Sequence, residues 1–100
     1  MEATNRLALG RYIAQIRQSI CVEQFELAEL LASTEDHIDS IERGEQEISL
    51  EEAQQIAQAL GYSPYVVNIF FGEPVPPLTP KEKKIFLRDA PPGATLSRES

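Results

Sequence analysis

Residues 33–44, STEDHIDSIERG, bring together side chains that can do chemistry: Glu35, Asp36, Asp39, Glu42 and the chain's one histidine, His37. Carboxylates can act as general acid and base, and a histidine with carboxylates can hold a metal. A metal site needs more ligands at helical spacing than these scattered carboxylates supply, and the chain has no second histidine or cysteine for a nucleophile–base pair. We therefore predict a non-enzyme with no catalytic residue, metal or cofactor.

Net charge limits the classes of partner. The chain carries a formal charge of −7 with a pI near 4.6. Residues 1–72 contain twelve acids and four arginines, a net −8, whereas residues 73–100 have five bases and four acids, a net +1. Nucleic-acid-binding domains usually have a basic face because phosphate neutralisation supplies most of their non-specific affinity. Residues 1–72 show the opposite pattern.

Length and composition are typical of one small cytoplasmic domain. A chain of 100 residues can bury one modest core. No apolar run is long enough to cross a bilayer, and the N-terminus MEATNRLALG lacks the apolar stretch of a signal peptide. The single cysteine cannot form an internal disulfide. We expect a cytoplasmic protein of bacterial or phage origin that has no membrane partner.

Apolar spacing predicts helices almost throughout. Leu9, Ile13, Ile16 and Ile20 fall on one helical face. Local signals then predict where the helices begin and end. These signals are a possible N-cap at Thr4 or Asn5, a cap at Thr34, a capping box at Ser49 and Glu52, Pro64 after Ser63, and stops at Gly44, Gly61 and Gly72.

Composition changes after Gly72 and predicts a division of the chain. Residues 1–72 are expected to form the main domain, with a helix-loop-helix at about 24–43. Residues 73–100 begin with the proline-rich EPVPPLTP, which is expected to be extended. Thr79, Pro80 and Glu82 then predict a short helix over about 80–89, and APPGATLSRES is expected to be disordered.

Several motifs, in order and with matching gaps, carry a resemblance over about 9–71. The chain resembles the Cro/lambda-repressor-like helix-turn-helix family, also called the XRE family. The matching motifs are Leu9-Gly10-x-x-Ile13-x-x-Ile16-Arg17, Gln24-x-x-Leu27-Ala28, Ile38-x-x-Ile41-Glu42-Arg43-Gly44 and SLEEAQQIAQALGYS. The resemblance implies an all-α, five-helix lambda-repressor-like domain, here followed by a proline-rich linker and a short C-terminal helix.

The same resemblance implies roles for particular residues. In the family the third helix lies in the major groove and its N-terminal residues meet base edges. Arg17 and Glu42 resemble the family's interior ion pair, which is structural. The positions implied to face DNA are Gln24, Thr34, Glu35, Asp36, Asp39, Ser40 and Arg43.

Several positions depart from the family pattern. Family members often have glycine where this chain has Cys21 and Ala32, and we expect Cys21 to be a half-buried, small apolar residue. The greater departure is the acidic recognition helix. Family members place basic or amide residues where this chain has three acids, and the following loop reads Glu45-Gln46-Glu47.

Two functional hypotheses remain open. In the first, the protein is an XRE-type transcriptional regulator that binds operator DNA. Its contacts with DNA phosphates then come from backbone N–H groups, helix ends and the few basic side chains, including the Lys81–Lys84 cluster. In the second, it regulates by binding another protein, as an antirepressor or a DNA mimic would. The surface facing that partner would be Glu35, Asp36, Asp39, Glu45 and Glu47.

The helix after Ser63 has more large apolar residues than one face of a small core usually hides. The residues expected to form a homodimer contact are Tyr65, Val66, Ile69 and Phe70. The alternative is that Leu78, Ile85 and Phe86 cover these side chains within one chain.

Overall fold

The computed structural model describes residues 5–90, and over that range it contains helices and no strand. The helices are α1 (Arg6–Ser19), α2 (Gln24–Leu30), α3 (Glu35–Glu42), α4 (Leu50–Ala59), a 3₁₀ helix (Pro64–Phe71) and α5 (Pro80–Asp89). The predicted all-α, five-helix fold with a proline-rich connection and a short C-terminal helix is confirmed. Within residues 5–90 no helix has both the length and the apolar character of a membrane span.

Side-chain caps begin most of these helices. Thr34 accepts a hydrogen bond from the His37 backbone N–H at 3.1 Å, and Ser49 accepts one from the Glu52 N–H at the same distance. Asn5 caps α1 in the same way, through the N–H of Ala8. Thr4, the alternative cap, lies outside the described residues. These contacts satisfy N–H groups that no intrahelical carbonyl can reach, which is why the caps were predictable from local sequence.

Gly10 allows α1 to lie directly against the end of α3. A Cβ atom at Gly10 would collide with the carbonyl oxygen of Ile41 and would lie 2.7 Å from that of Glu42. No side chain fits in that space. The recognition-helix segment is therefore fixed by backbone contact as well as by the apolar side chains Ile38 and Ile41, which are buried in the core.

Two expectations about the end of α1 are wrong. Ile20 was expected on the buried face, but α1 ends at Ser19 and Ile20 is 43 % exposed. The next residue, Cys21, is exposed rather than half-buried and has a left-handed backbone with φ 59°. Because the chain turns here, the helical spacing of the preceding residues no longer determines which side chains face the core.

The helix after Ser63 is a 3₁₀ helix rather than an α-helix. Its β-branched residues, Val66, Val67 and Ile69, are stiff and lower the α-helical propensity. Asn68 is buried within it. The Asn68 amide accepts a hydrogen bond from Gln54 Nε2 and donates one to the Pro74 carbonyl, both at 3.0 Å. This side chain therefore ties α4, the 3₁₀ helix and the proline-rich connection together.

The C-terminal helix α5 packs onto the domain. Phe86 is 1 % exposed and belongs to the same core as the residues of α1 to α4. The Tyr12 hydroxyl donates to the Asp89 carbonyl at 3.1 Å, and the Ser63 N–H donates to the Asp89 carboxylate at 3.3 Å. Residues 91–100, which include most of the segment expected to be disordered, lie outside the described residues.

Candidate nucleic-acid interface

The α2 and α3 helices form the predicted helix-turn-helix. At the start of α2 the Glu26 carboxylate accepts the Glu23 N–H at 2.7 Å. At its end Ala32 turns the chain with a left-handed φ of 55°, and the Ser33 N–H donates to the Ala28 carbonyl at 2.8 Å. Thr34 then caps α3. The sequence between the helices thus sets the geometry of the turn by local hydrogen bonds.

A buried ion pair fixes α3 against α1. The Arg17 guanidinium donates to both oxygens of Glu42, at 2.6 and 2.9 Å, and also to the Val22 carbonyl at 2.8 Å. The hydrogen bond to Glu42 raises the pKa of Arg17 above its ordinary value, so the guanidinium stays charged. Removing one partner of such a pair typically costs ~3–5 kcal/mol. The structural role implied for these residues fits this geometry.

The amide of Gln24, a candidate phosphate contact, is occupied within the chain. Its nitrogen donates to Glu42 Oε1 at 2.9 Å and to Asp39 Oδ1 at 3.2 Å. A side-chain amide has only two N–H donors, and both are used here. The atom left free is the carbonyl oxygen, which cannot donate to a phosphate. Gln24 must release a carboxylate before it can bind the DNA backbone.

The side of α3 opposite Ile38 and Ile41 faces outward. At 100° per residue this outward face consists of Asp36, Asp39, Ser40 and Arg43.

Arg43 is the one base on this face, and it is held by two carboxylates. Its Nη2 lies 3.1 Å from Asp39 Oδ2 and 3.3 Å from Glu45 Oε1. Arg43 and Glu45 are more than half exposed, and exposed pairs of this kind contribute about 0.2–1 kcal/mol. A phosphate can therefore compete for Arg43.

Four further acids on or beside this face form no ion pair within the described residues. Glu35, Asp36, Glu47 and Gln24's neighbour Glu23 are exposed, and no ion pair involves them among residues 5–90. Glu35 and Asp36 occupy the first turn of α3, where negative charge is favoured by the helix dipole at about 0.3–1 kcal/mol each. That stabilisation explains their presence in the fold and is independent of any partner.

His37 makes a contact that the sequence did not reveal. Its Nε2 lies 2.7 Å from Glu52 Oε2 and links α3 to α4. A shallow cleft of about 340 Å³ lies alongside, between the α2–α3 turn and the start of α4. The two residues are fifteen positions apart on different helices, so no local pattern could have paired them.

The four dimer candidates differ in accessibility. Val66 is buried in the core, so it has no surface to offer a second chain. Tyr65 and Phe70 are partly buried, and the Phe70 ring packs on Tyr12 with 5.3 Å between ring centroids. Ile69 alone is exposed. Within this one chain, Phe86 of α5 joins the core beside these residues, as the alternative hypothesis expected, and Leu78 and Ile85 are partly buried.

Known helix-turn-helix proteins resemble this chain in sequence and in fold. A helix-turn-helix family model matches residues 13–67. The clp gene regulator ClgR from C. glutamicum is 34 % identical, covering 64 % of this chain and 82 % of its own, with a TM-score of 0.60. The restriction-modification controller protein C.AhdI from Aeromonas hydrophila is 25 % identical, covering 60 % and 87 %, with a TM-score of 0.57.

A third structure supports the fold alone. The hypothetical transcription factor NHTF from Neisseria is 24 % identical and covers 79 % of this chain and 80 % of its own, with a TM-score of 0.58. No curated protein sequence matches the chain. The family match spans more than half of the residues and includes α2, α3 and α4. The chain is a transcriptional regulator and not an enzyme, and it belongs to the Cro/lambda-repressor-like, XRE-type helix-turn-helix family.

Proposed function

We propose that this regulator binds operator DNA as a cytoplasmic dimer, with α3 in the major groove. The observation that carries the proposal is the outward face of α3, which has polar side chains only and is held rigidly by the Arg17–Glu42 pair and the Gly10 contact. Ser40 and Asp39 can meet base edges there, since a carboxylate accepts from cytosine N4 and a hydroxyl bonds either base type. Arg43 and Gln24 supply phosphate contacts once released from their carboxylates.

Dimer formation is proposed through the 3₁₀ helix. Ile69, partly buried Tyr65 and partly buried Phe70 are the accessible members of the candidate set. Helix-turn-helix dimers bind half-sites about one helical turn apart, ~34–36 Å, so we expect a two-fold symmetric operator.

Binding of the full chain to pooled genomic fragments at ~50 mM and ~200 mM salt tests this proposal. We expect retention of a subset of fragments at low salt and a steep loss at the higher concentration, because each neutralised phosphate releases counterions. The variant Arg43→Gln removes the one basic side chain on the outward face of α3, and we expect it to weaken the retention of DNA fragments. Absence of any retained fragment at low salt would contradict the proposal.

A second candidate function is supported by the charge of the same face. We propose as the alternative that Glu35, Asp36, Asp39, Glu45 and Glu47 bind a basic protein partner. The supporting observation is that the donors of Gln24 and Arg43, the candidate phosphate contacts, are already occupied by the carboxylates of Asp39, Glu42 and Glu45. A partner's lysines and arginines would meet an acidic surface whose shape is fixed by the fold.

Charge reversal tests the alternative. The double variant Glu35→Lys/Asp36→Lys should abolish capture of the partner from a cell lysate, whereas Glu29→Lys/Glu73→Lys, which adds the same charge at exposed positions elsewhere, should not. Thermal unfolding of both variants checks that each is folded, because lysine in the first turn of α3 opposes the helix dipole. An unchanged capture profile for the first variant counts against this surface.

A further inference from the structure

Asp39 contacts both candidate phosphate-binding side chains of the helix-turn-helix. Its Oδ1 accepts a hydrogen bond from Gln24 Nε2 at 3.2 Å, and its Oδ2 lies 3.1 Å from Arg43 Nη2. Gln24 is the first residue of α2, whereas Arg43 directly follows the last residue of α3. One carboxylate on the outward face of α3 therefore holds a donor from each end of the motif.

Of the two carboxylates that bind Gln24, Asp39 is the one that can release it. Glu42 accepts from the Gln24 amide at 2.9 Å and is itself fixed by two hydrogen bonds from Arg17. The Glu42 side chain is 6 % exposed, whereas that of Asp39 is 42 % exposed and makes the longer bond. Because both N–H donors of the amide are used, a phosphate that binds Gln24 has to displace Asp39.

The same carboxylate reduces the positive charge that Arg43 offers to DNA. Asp39 lies closer to Arg43 Nη2 than Glu45 does, at 3.1 Å against 3.3 Å. Salt-dependent DNA binding comes from cations that neutralise phosphates and release their counterions. A guanidinium already paired with a carboxylate contributes less to this release. Asp39 therefore weakens the phosphate contact of the one base on the outward face of α3.

Asp39 needs a new donor when Gln24 and Arg43 leave it. An ionised carboxylate only accepts hydrogen bonds, and a charged group that is enclosed in an interface without a donor weakens binding. In the major groove, cytosine N4 supplies such a donor, whereas guanine and thymine present acceptors. Adenine N6 is also a donor, but the N7 acceptor beside it repels a carboxylate. Cytosine is therefore the base that best replaces the two internal partners.

We propose that Asp39 couples base recognition to phosphate binding by exchanging its partners. At a half-site with a cytosine beside α3, the carboxylate accepts from cytosine N4, and Gln24 and Arg43 are released to the phosphates. At other sequences Asp39 keeps its internal donors, and the phosphate contacts stay weak. The inference rests on the proposed DNA-binding function and assigns to one residue a difference between specific and non-specific binding.

Salt titrations of Asp39→Ala on two DNA fragments test the exchange. One is a genomic fragment that wild-type protein retains, and the other has a random sequence of the same length. On random DNA the variant should bind several-fold more tightly than wild type, with a slope of log K against log salt steeper by about one, because Arg43 then neutralises a phosphate. Wild type should already show the steeper slope on the retained fragment. The ratio of the two affinities should fall about tenfold in the variant, as for one mismatched base pair.

The matched control is Asp36→Ala, which removes an exposed carboxylate of the same face that forms no ion pair within residues 5–90. It should raise the affinity for both fragments by the same factor, because it releases no donor. Thermal unfolding of both variants checks that each is folded. If Asp39→Ala behaves like Asp36→Ala, or weakens binding to both fragments equally, the exchange is wrong and the proposed function stands.

A double-mutant cycle with Arg43→Gln separates the released donor from the lost charge. On random DNA, Asp39→Ala should increase the affinity more in the wild-type background than in the Arg43→Gln background. In the second background its gain should match that of Asp36→Ala, because no guanidinium is left to release. Equal gains from Asp39→Ala in the two backgrounds contradict the proposed role of Asp39.

Substitution of single base pairs along the retained fragment locates the base. At one cytosine, wild type should lose about fivefold or more in affinity, and Asp39→Ala should lose less than about twofold. If every base-pair substitution affects the two proteins equally, Asp39 reads no base and the inference is overturned. If neither wild type nor Asp39→Ala retains any DNA at low salt, the proposed function and this inference fall together.

Discussion

Two residues with side chains, Cys21 and Ala32, occupy left-handed backbone at φ 59° and 55°. Both are positions where the resemblance led us to note the absence of a glycine. A left-handed backbone costs an L-residue roughly 1–2 kcal/mol because Cβ crowds the following carbonyl oxygen. These two turns therefore carry an energetic cost that a glycine at either position would avoid.

Replacing either residue with glycine should stabilise the protein. We expect Cys21→Gly and Ala32→Gly each to raise the free energy of unfolding by about 0.5–1 kcal/mol, the relieved strain less the ~0.4–1 kcal/mol of extra unfolded-state entropy. Urea unfolding at neutral pH measures the difference.

The control is Ala14→Gly, in the middle of α1. There the same change relieves no strain and should destabilise by about 1 kcal/mol. Destabilisation by all three glycines would show that the two left-handed residues are not strained.

At this scale the sequence predicted what is local. The caps at Thr34, Ser49 and Thr79 were predictable because each bond joins residues three apart. The contacts of Gln24 and His37 were not, since each joins two helices whose relative placement depends on the whole core. The burial of Val66 was likewise invisible to a pattern that marks residues only as apolar.

Among the elements, α5 has the least expected role. The sequence left open whether its apolar residues Ile85 and Phe86 would dock on its own domain or on a second subunit. The helix docks on its own domain through one aromatic side chain, because Phe86 lies in the core while Leu87 is 60 % exposed. Helical spacing alone could not distinguish these two neighbours.

The contribution of α5 can be measured by a matched pair of truncations. Phe86→Ala should lower the free energy of unfolding by about 3–5 kcal/mol, since it removes a fully buried aromatic ring. Leu87→Ala, next to it in sequence, should change the stability by less than about 0.5 kcal/mol because it is a surface substitution. Chemical denaturation gives both values. Equal, small effects would show that α5 is not part of the cooperative unit.

The contact between α1 and α5 predicts a pH dependence. Burial raises the pKa of the Tyr12 phenol above its ordinary value, with smaller contributions from Tyr62 and Asp89. A raised folded-state pKa stabilises the protein below the unfolded value of about 10, and this stability is lost as the pH rises above it.

We therefore expect the free energy of unfolding to fall with pH above 10 more steeply for wild type than for Tyr12→Phe, by up to about 1.4 kcal/mol per pH unit. Urea midpoints between pH 9 and 11 measure the two slopes. The phenylalanine variant also loses the bond to the Asp89 carbonyl, so the slopes and not the absolute stabilities are compared. Parallel slopes would mean that the Tyr12 phenol ionises equally easily in both states.

For the whole molecule, the distribution of charge matters more than its total. The outward face of α3 carries Asp36 and Asp39, whereas the three lysines of the chain are all on α5. The family and fold were predictable from ordered motifs because those motifs are the core and the caps. The partner was not, since it depends on which charges neutralise one another, and that becomes visible only when Arg43, Asp39 and Gln24 are seen in contact.

Neutralising one carboxylate of α3 distinguishes the two candidate functions, because it should change DNA affinity and partner binding in opposite directions. Asp36→Asn removes an exposed carboxylate from the outward face of α3. DNA affinity should then rise several-fold, because a like-charge contact at about 4 Å costs ~1 kcal/mol even in water-like surroundings. Capture of a basic partner should instead weaken. The control is Glu73→Gln, at an exposed position beyond the 3₁₀ helix, and it should alter neither. A loss of DNA affinity would mean that Asp36 reads a base directly.

The missing side chain at Gly10 has a consequence for engineering. The α1 backbone lies directly against the end of α3, so the inner side of that helix leaves little room for redesign. Asp36, Asp39, Ser40 and Arg43 contribute no side chain to the apolar core, and of these four only Asp39 bonds another helix, through Gln24. These four positions can therefore be substituted while the fold that holds α3 is kept. A library randomised there, with Gly10 kept, would sample new binding specificities without sampling new folds.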